Sequence, residues 1–229
     1  MIANYAIDPA VLTPLLPKGT KLDLYNGNCY ISLVAFQFLN TKVFGIPAFS
    51  NRNFDEINLR FYVKRPLSDG KEQTGVAFIK EIVSSRLIAW TARTLYGENY
   101  VAMNMSHEIK NNQANGNLKL TYRCGVKGLS NEFCATISPG SQMGEDDVLG
   151  PYITEHYWGY SRPEKTTTVE YEVKHPRWTV NQVIEYSIDF DFEGLYGTSF
   201  KSLSEIGPSS VFYCNGSNVT VHLGSKIST

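Results

Sequence analysis

Apolar and polar residues alternate with a period of two over much of this chain, the spacing of half-buried β-strands. The segments that read this way are Cys29–Leu39, Ile57–Lys64, Gly75–Val83, Lys119–Cys124, Glu132–Ile137, Ile153–Tyr160, Thr166–His175, Val183–Phe192 and Val211–Leu223. Gly, Asn, Asp and Pro cluster between them, at Ser68-Asp69-Gly70, 111–117 and 138–150, and predict turns. The last of these carries an acidic run, Glu145, Asp146 and Asp147, and is the candidate mobile loop. Two segments carry helical signals instead. Asp8-Pro9 pairs a capping residue with a proline suited to the first helical position, and Val11, Leu12, Leu15 and Leu16 follow before Pro17. The second helix starts near Ser84 or Ser85 and stops at Gly97, with Ile88, Ala89, Ala92, Leu95 and Tyr96 on one stripe and Arg86, Trp90 and Arg93 on another. Two helices among many short strands predict an α+β domain dominated by an antiparallel barrel or folded sheet. No repeat and no linker divides the chain, so 1–229 reads as one domain.

Composition narrows the function classes. Of 229 residues, 13% are aromatic and only 19% charged, which excludes a disordered chain. A net charge of -1 argues against nucleic-acid binding, which needs a basic face. The longest apolar run, Tyr30–Leu39, is broken by Ser32 and Gln37 and is too short to span a bilayer, so no membrane role is expected. There is no Lys or Arg before Lys18 and no signal-peptide pattern, which predicts a cytoplasmic location and makes the glycosylation triplets at Asn104, Asn215 and Asn218 chance matches. Cys29, Cys124, Cys134 and Cys214 form no CxxC pair, and no histidines lie at zinc spacing, so the cysteines are expected to be reduced small hydrophobes and no metal or cofactor is expected. Phosphate-binding glycine loops, GxSxG and HExxH are all missing.

The informative chemistry lies on one strand. Alternation puts Ile57, Leu59, Phe61 and Val63 on one face and Glu56, Asn58, Arg60 and Tyr62 on the other. Such a polar face either meets water or lines a polar interior. Facing inward, Arg60 is expected to pair with Glu56 and to be able to grip a ligand carboxylate. In a second cluster, alternation groups His156 with Trp158 and Tyr160; a third holds His175-Pro176-Arg177-Trp178. For both histidines a structural role is the expectation over a catalytic one. Arg93, near a helix C-terminus, is expected to reach toward the interior or a carboxylate beside it.

Stretches along nearly the whole chain resemble the uncharacterised bacterial family called domain of unknown function 2071, or YqjF-like. They include Asn4-Tyr5-Ala6-Ile7-Asp8-Pro9, Leu16-Pro17-Lys18-Gly19, residues 31–36, 56–63 and 75–81, Glu155-His156-Tyr157-Trp158-Gly159-Tyr160, His175-Pro176-Arg177-Trp178 and Pro208-Ser209-Ser210-Val211-Phe212. That family is in turn similar to acetoacetate decarboxylase, which implies a closed antiparallel β-cone with a few helices around a central cavity. The decarboxylase works through a lysine Schiff base beside a second lysine. Its motif resembles residues 92–101 here, with Arg93, Tyr96 and Gly97 matching and the lysine pair falling on Tyr100 and Val101, neither of which is an amine. Schiff-base decarboxylation is therefore not expected. Lys80, the nearest preceding lysine, alternates with Val76 and Phe78 and is expected to hold its ammonium in water. Two functions remain. One is an interior site for a small, anionic organic acid or carbonyl compound, lined by Glu56, Asn58, Arg60, Tyr62, Arg93, Tyr100, His156 and Tyr160, in an unidentified enzyme or a ligand binder. The other is a structural or protein-interaction role with a filled interior. Neither a catalytic residue nor an oligomeric state follows from the sequence.

Overall fold

The computed structural model describes residues 1–43, 45–48, 52–125, 131–143, 149–164 and 166–227, so the acidic run 145–147 lies outside the described residues. The first half of the chain supplies β1 (Ile2–Ile7), α1 (Pro9–Leu12), β2 (Lys21–Leu22), β3 (Cys29–Phe38), β4 (Lys42–Val43), β5 (Ile46–Pro47), β6 (Phe54–Pro66), β7 (Glu72–Val83), α2 (Arg86–Tyr96), β8 (Tyr100–Ala102) and β9 (Asn104–Asn111). The second half supplies β10 (Leu118–Gly125), β11 (Asn131–Gln142), α3 (Leu149–Thr154), β12 (Trp158–Glu164), β13 (Thr167–Lys174), β14 (Val180–Asp189), α4 (Phe192–Tyr196), α5 (Leu203–Ile206), β15 (Ser210–Cys214), β16 (Thr220–Val221) and β17 (Ser225–Ile227).

One large sheet runs β16-β13-β12-β7-β6-β3-β1-β15-β14-β11-β10-β9, with β2, β8 and β17 attached at its side. All pairs in it are antiparallel except β7 with β8 and β7 with β12. The sheet curls far enough for His107 Nδ1 on β9 to lie 2.9 Å from Asp55 Oδ1 on β6, but its end strands do not pair. It is therefore an open, strongly curved mixed sheet rather than the closed barrel expected.

The period-two reading holds for β3, β6, β7, β10, β11, β13 and β14; β6, β7, β10 and β11 run one to five residues past the expected bounds, β3 and β13 stop one residue short, and β14 is shifted three residues toward the N-terminus. Two segments depart from it. The expected strand Ile153–Tyr160 is split: α3 runs to Thr154, closed by the Thr154 hydroxyl on Gly150 O (2.8 Å), and the strand begins only at Trp158. A short apolar run fits either state, and Pro151 early in α3 suits a helical first turn. The expected strand Val211–Leu223 breaks after Cys214, where Gly216 takes φ +73°.

Alternation on the central strands builds two apolar layers. Ile31, Leu33, Ile57, Leu59, Phe61, Val63 and Ala77 belong to the main core. On the opposite face Ile2, Val34, Tyr62, Val76, Ile153 and Phe212 form a second cluster, and Phe54, Val83 and Ala89 a third. The α2 helix lies over this second face. Ser85 caps its first turn by accepting from Ile88 N (3.3 Å), its Ala89 and Ile88 pack on Phe54 and Val83, and Gly97 ends it in the left-handed region at φ +67°. A methyl group on Gly97 would also meet Pro163 Cβ at 2.7 Å. Gly97→Ala is predicted to cost at least about 1–2 kcal/mol in a urea titration, the penalty for a left-handed non-glycine residue before the clash is counted. An unchanged midpoint would contradict this account of how the helix stops.

Candidate active site on the inner face of the sheet

Residues paired across strands share a face, so the register of β6 with its neighbours shows what accompanies Glu56, Asn58, Arg60 and Tyr62. Asn58 pairs with Val34 on β3 and Glu81 on β7, and Glu81 pairs with Tyr100 on β8. Arg60 pairs with Ser32 on β3 and Phe78 on β7. Glu56, Asn58 and Glu81 are each 2% exposed and Tyr62 is 1% exposed, so the polar face is buried as well as the apolar one. It is roofed by α2 and β8 at the Glu56 end and by α3 and the loop after it at the Tyr62 end.

At the Glu56 end three carboxyls gather. Asn58 Nδ2 donates to Glu56 Oε1 (2.8 Å), and the Tyr100 hydroxyl donates to Glu56 Oε2 (3.0 Å). Glu98, just past the Gly97 helix stop and 6% exposed, accepts from the Tyr171 hydroxyl at 2.6 Å. Tyr171 reaches it because its ring lies over Gly159, the residue opposite it on β12; a Cβ there would sit 2.2 Å from Tyr171 Cζ. Glu81 Oε2 and Asn58 Oδ1 are buried without a hydrogen-bond partner. Among the described residues no Lys or Arg forms an ion pair with any of the three carboxyls.

Charges taken out of water without a counter-ion are costly, so such groups keep their protons. Burial pushes Glu56 up to about 7, against the bonds from Asn58 and Tyr100 and the charge of Arg60. Burial pushes Glu98 up to about 8, helped by Glu56 and opposed by the Tyr171 bond. Glu81 is raised well above the carboxylate range, first by burial and then by Glu98 and Glu56. The Tyr100 and Tyr171 phenols are also raised, by burial and then by these carboxyls, and remain O–H donors. The result is a set of neutral acids and phenols able to donate protons to a substrate oxygen.

Arg60 lies at the other end and departs from expectation. It forms no ion pair with Glu56, because Asn58 and Tyr100 hold that carboxyl. Its Nη2 donates to Ile153 O (3.3 Å), its guanidinium carbon lies 5.9 Å from the Tyr62 ring centre, and its Nε is buried without a partner. Beside it a hydrogen-bonded row crosses the sheet: Asn4 Nδ2 donates to Ser210 Oγ (3.0 Å), Ser32 Oγ to Asn4 Oδ1 (2.6 Å), and Ser32 Oγ and Tyr62 OH lie 2.6 Å apart. His156 packs on Tyr62 with ring centres 4.8 Å apart, its Nε2 3.8 Å from Asp23 Oδ2 and its Nδ1 buried without a partner. Burial lowers its pKa, against the pull of Asp23. The Arg60 charge also lowers the Met1 amino group, brought down to about 6 chiefly by burial, and lowers Cys214 against burial's upward push.

The remaining candidates fall elsewhere. Arg93 is exposed and donates to Tyr100 O (3.3 Å), meeting no carboxylate. It braces β8 from outside because the apolar stripe, not the arginine stripe, faces the sheet. Tyr160 is buried in the main core, where its hydroxyl accepts from Gln73 (2.7 Å); its neighbour Gly159 pairs with Val76 and occupies the inner face, sending Tyr160 to the other side. His175 stacks on Trp178 with ring centres 4.3 Å apart and forms a corner. Lys80 is half-buried rather than in water: its ammonium bonds Leu195 O, it lies 5.7 Å from the Tyr196 ring, and burial lowers its pKa. It shares a face with Leu59, not with Val76 and Phe78, because a β-bulge between Leu59/Lys80 and Arg60/Phe78 shifts the phase. Lys80 therefore does not take the place of the amines missing at Tyr100 and Val101. Glu81, Glu98 and Tyr171 were not among the expected site residues. A lone glutamate inside the apolar run Val76–Val83 was the one signal that pointed to Glu81.

The chain belongs to a family of uncharacterized conserved proteins, COG2071 or DUF2071, whose pattern matches residues 1–218. It is 27% identical over 197 residues to the uncharacterized protein YqjF of Bacillus subtilis (strain 168), covering 82% of this chain and 75% of that one. Among solved structures it is similar to the enduracididine biosynthesis enzyme MppR with HEPES bound (TM-score 0.64, 15% identity, 99% of this chain and 84% of that chain). MppR complexed with pyruvate is matched at TM-score 0.63 and 16% identity, over 99% and 87% of the chains. Acetoacetate decarboxylase from Legionella pneumophila subsp. pneumophila str. Philadelphia 1 is matched at TM-score 0.64 and 11% identity, over 99% and 83%. These likenesses establish an acetoacetate decarboxylase-like fold.

The raised carboxyls carry a stability signature. Each releases its proton near 4.5 when unfolded and, when folded, near 7 for Glu56, near 8 for Glu98 and well above the carboxylate range for Glu81. Their contribution is complete below about pH 4.5 and is lost as pH rises toward the folded values, because the folded state there holds more protons. Glu81→Gln removes one such group. Between pH 5 and 7, wild type is predicted to lose stability relative to the variant by about 1 kcal/mol per pH unit. Comparing the two chains cancels His156 and Met1, which titrate in the opposite sense. Parallel curves from urea titrations at each pH would contradict the burial of Glu81.

Proposed function

We propose that this member of the family binds a small organic carboxylate on the inner face of the sheet, with Arg60 holding the carboxylate and the neutral acids and phenols around Glu56 facing the rest of the molecule. The observation that carries this reading is Arg60: an arginine half-buried in a polar interior, its Nε buried and unpartnered, with a carbonyl oxygen and, among the described residues, no carboxylate beside it. A guanidinium fork matches a carboxylate bidentately, and such a partner would neutralise the charge and fill the free donor. Ser32, Asn4 and Tyr62 form a polar wall next to it, and Tyr62 gives its ring face to the cation.

The chemistry available is general acid–base catalysis without a covalent amine. Tyr100 and the protonated carboxyls can hydrogen-bond a carbonyl oxygen and give up a proton where charge develops on it. Several acids around pH 7 suit that task, because one can donate while its neighbour accepts. Pyruvate, present in one structure of the same fold, is both a carboxylate and a carbonyl compound and serves as a natural probe. A filled interior with no ligand is the competing function. It would leave Arg60 Nε, Asn58 Oδ1, Glu81 Oε2 and His156 Nδ1 permanently buried without partners, each at a cost of about 1–3 kcal/mol.

The reading predicts that pyruvate or acetoacetate raises the thermal midpoint of the wild-type protein at pH 7, and that Arg60→Ala abolishes the rise. Arg60→Lys should retain only part of it, since an ammonium cannot reproduce the fork. Equal shifts in wild type and Arg60→Ala, or none with any small carboxylate in a broad panel, would exclude Arg60 as the anchor.

A further inference from the structure

The carboxyl cluster raises a question that a carboxylate ligand alone does not answer. Three buried acids, Glu56, Glu81 and Glu98, lie within electrostatic reach of one another, and no Lys or Arg among the described residues pairs with any of them. Between two of them stands Asn58, 2% exposed, bonded to Glu56 through Nδ2 and placed directly opposite Glu81 by the strand register. Its Oδ1 has no partner, and neither has Glu81 Oε2. Asn58 Oδ1 is an acceptor, and Glu81 Oε2 becomes one once its carboxyl is ionised. They share the sheet's inner face with two phenols, which already donate to Glu56 and Glu98. A positively charged donor placed here would fill Asn58 Oδ1 and at the same time hold Glu81 ionised as its second acceptor.

We infer that this end of the site receives a cationic N–H donor group, a guanidinium, amidinium or ammonium, carried by the same ligand whose carboxylate meets Arg60. The ligand class is then a short zwitterion with its positive end among Glu56, Asn58 and Glu81. This inference rests on the proposed function for its second half only. A planar guanidinium offers donors in a fork and can meet a carboxylate and an amide oxygen together. The geometry suits an extended organic cation and not a bare metal ion, for among the described residues no three His, Cys, Asp or Glu side chains gather closely enough to ligate one. Along β6, Arg60 is about 7 Å from Asn58 and about 13 Å from Glu56, spans that a short aliphatic chain plus the side chains can bridge. Arg60 at the other end repels the cation and orients the ligand, so opposite charges at the two ends set one direction of binding.

Proton linkage follows. The groups facing the cation are Glu56, Asn58 and Arg60 from β6, Glu81 from β7, Glu98 from the turn after α2, Tyr100 from β8 and Tyr171 from β13. A cation favours ionised carboxyls, so it binds better as pH rises through the range where Glu56 and Glu98 lose their protons, and its arrival expels protons.

The test is calorimetric titration of the full chain with butyrate, propylguanidinium and 4-guanidinobutyrate at pH 6 and pH 8. At pH 8, 4-guanidinobutyrate is expected to bind at least tenfold more tightly than butyrate. That ratio is expected to shrink about tenfold at pH 6, and to fall to within threefold in Glu81→Gln. Titrations in buffers of different ionisation heat should show protons leaving the protein as the guanidinium compounds bind. Butyrate binding as tightly as 4-guanidinobutyrate would overturn the inference while leaving the carboxylate anchor standing. Binding of propylguanidinium that Glu81→Gln weakens, with no binding of butyrate, would support the cation site and remove the anchor. No binding of any guanidinium compound to the wild-type protein would overturn the inference whatever the variants do.

Discussion

Everything on the inner face of this sheet follows from one constraint: three carboxyls are buried together and, among the described residues, no Lys or Arg forms an ion pair with any of them. A charge so placed would cost several kcal/mol, and three would repel one another as well. The fold meets the cost by holding Glu81 and Glu98 neutral at pH 7 and Glu56 neutral below it, and by giving Glu56 and Glu98 phenol donors. Those phenols come from distant parts of the chain, Tyr100 on β8 and Tyr171 on β13. Gly159 leaves room for one of them, and Glu98, which meets it, follows directly on the Gly97 stop that ends the helix. The site is therefore assembled by the curvature of the sheet and not by any local motif.

Such an interior keeps proton donors in a place that also contains a guanidinium, and the two have not neutralised each other. The intervening Asn58 and Tyr100 occupy Glu56, so Arg60 is held by a backbone carbonyl and the Tyr62 ring. At the position that resembles the decarboxylase lysine pair, this chain has a phenol and a valine, and Val101 packs against the main core while Tyr100 reaches Glu56. The acetoacetate decarboxylase-like frame is present, and the groups offered inside it are acids and hydrogen bonds.

Much of this was legible from alternation alone. The single stretch 54–63 indicated which face of β6 is polar, and burial of that face follows from its neighbours on both sides. What alternation cannot supply is phase where the pairing is irregular. One bulge residue near Ile79 looks like any other apolar residue, yet it moves Lys80 to the face opposite Val76 and Phe78. Tyr160 was misplaced for a related reason: the parallel contact between Gly159 and Val76 fixes which side of β12 looks inward, and no local pattern encodes a contact between strands 83 residues apart. Glu98 and Tyr171 carry no local signal at all, since a glutamate after a helix and a tyrosine in a strand are ordinary until the sheet brings them within 2.6 Å.

The most direct measurement is the titration of the glutamate side chains themselves, followed by carbon-detected NMR on a uniformly labelled sample. Three glutamates, assigned through Glu56→Gln, Glu81→Gln and Glu98→Gln, should still be protonated at pH 6, with Glu56 changing near pH 7 and Glu98 near pH 8. If every glutamate in the protein instead titrates close to 4.5, the carboxyls are ionised and solvated, and the neutral interior acids on which this account depends do not exist.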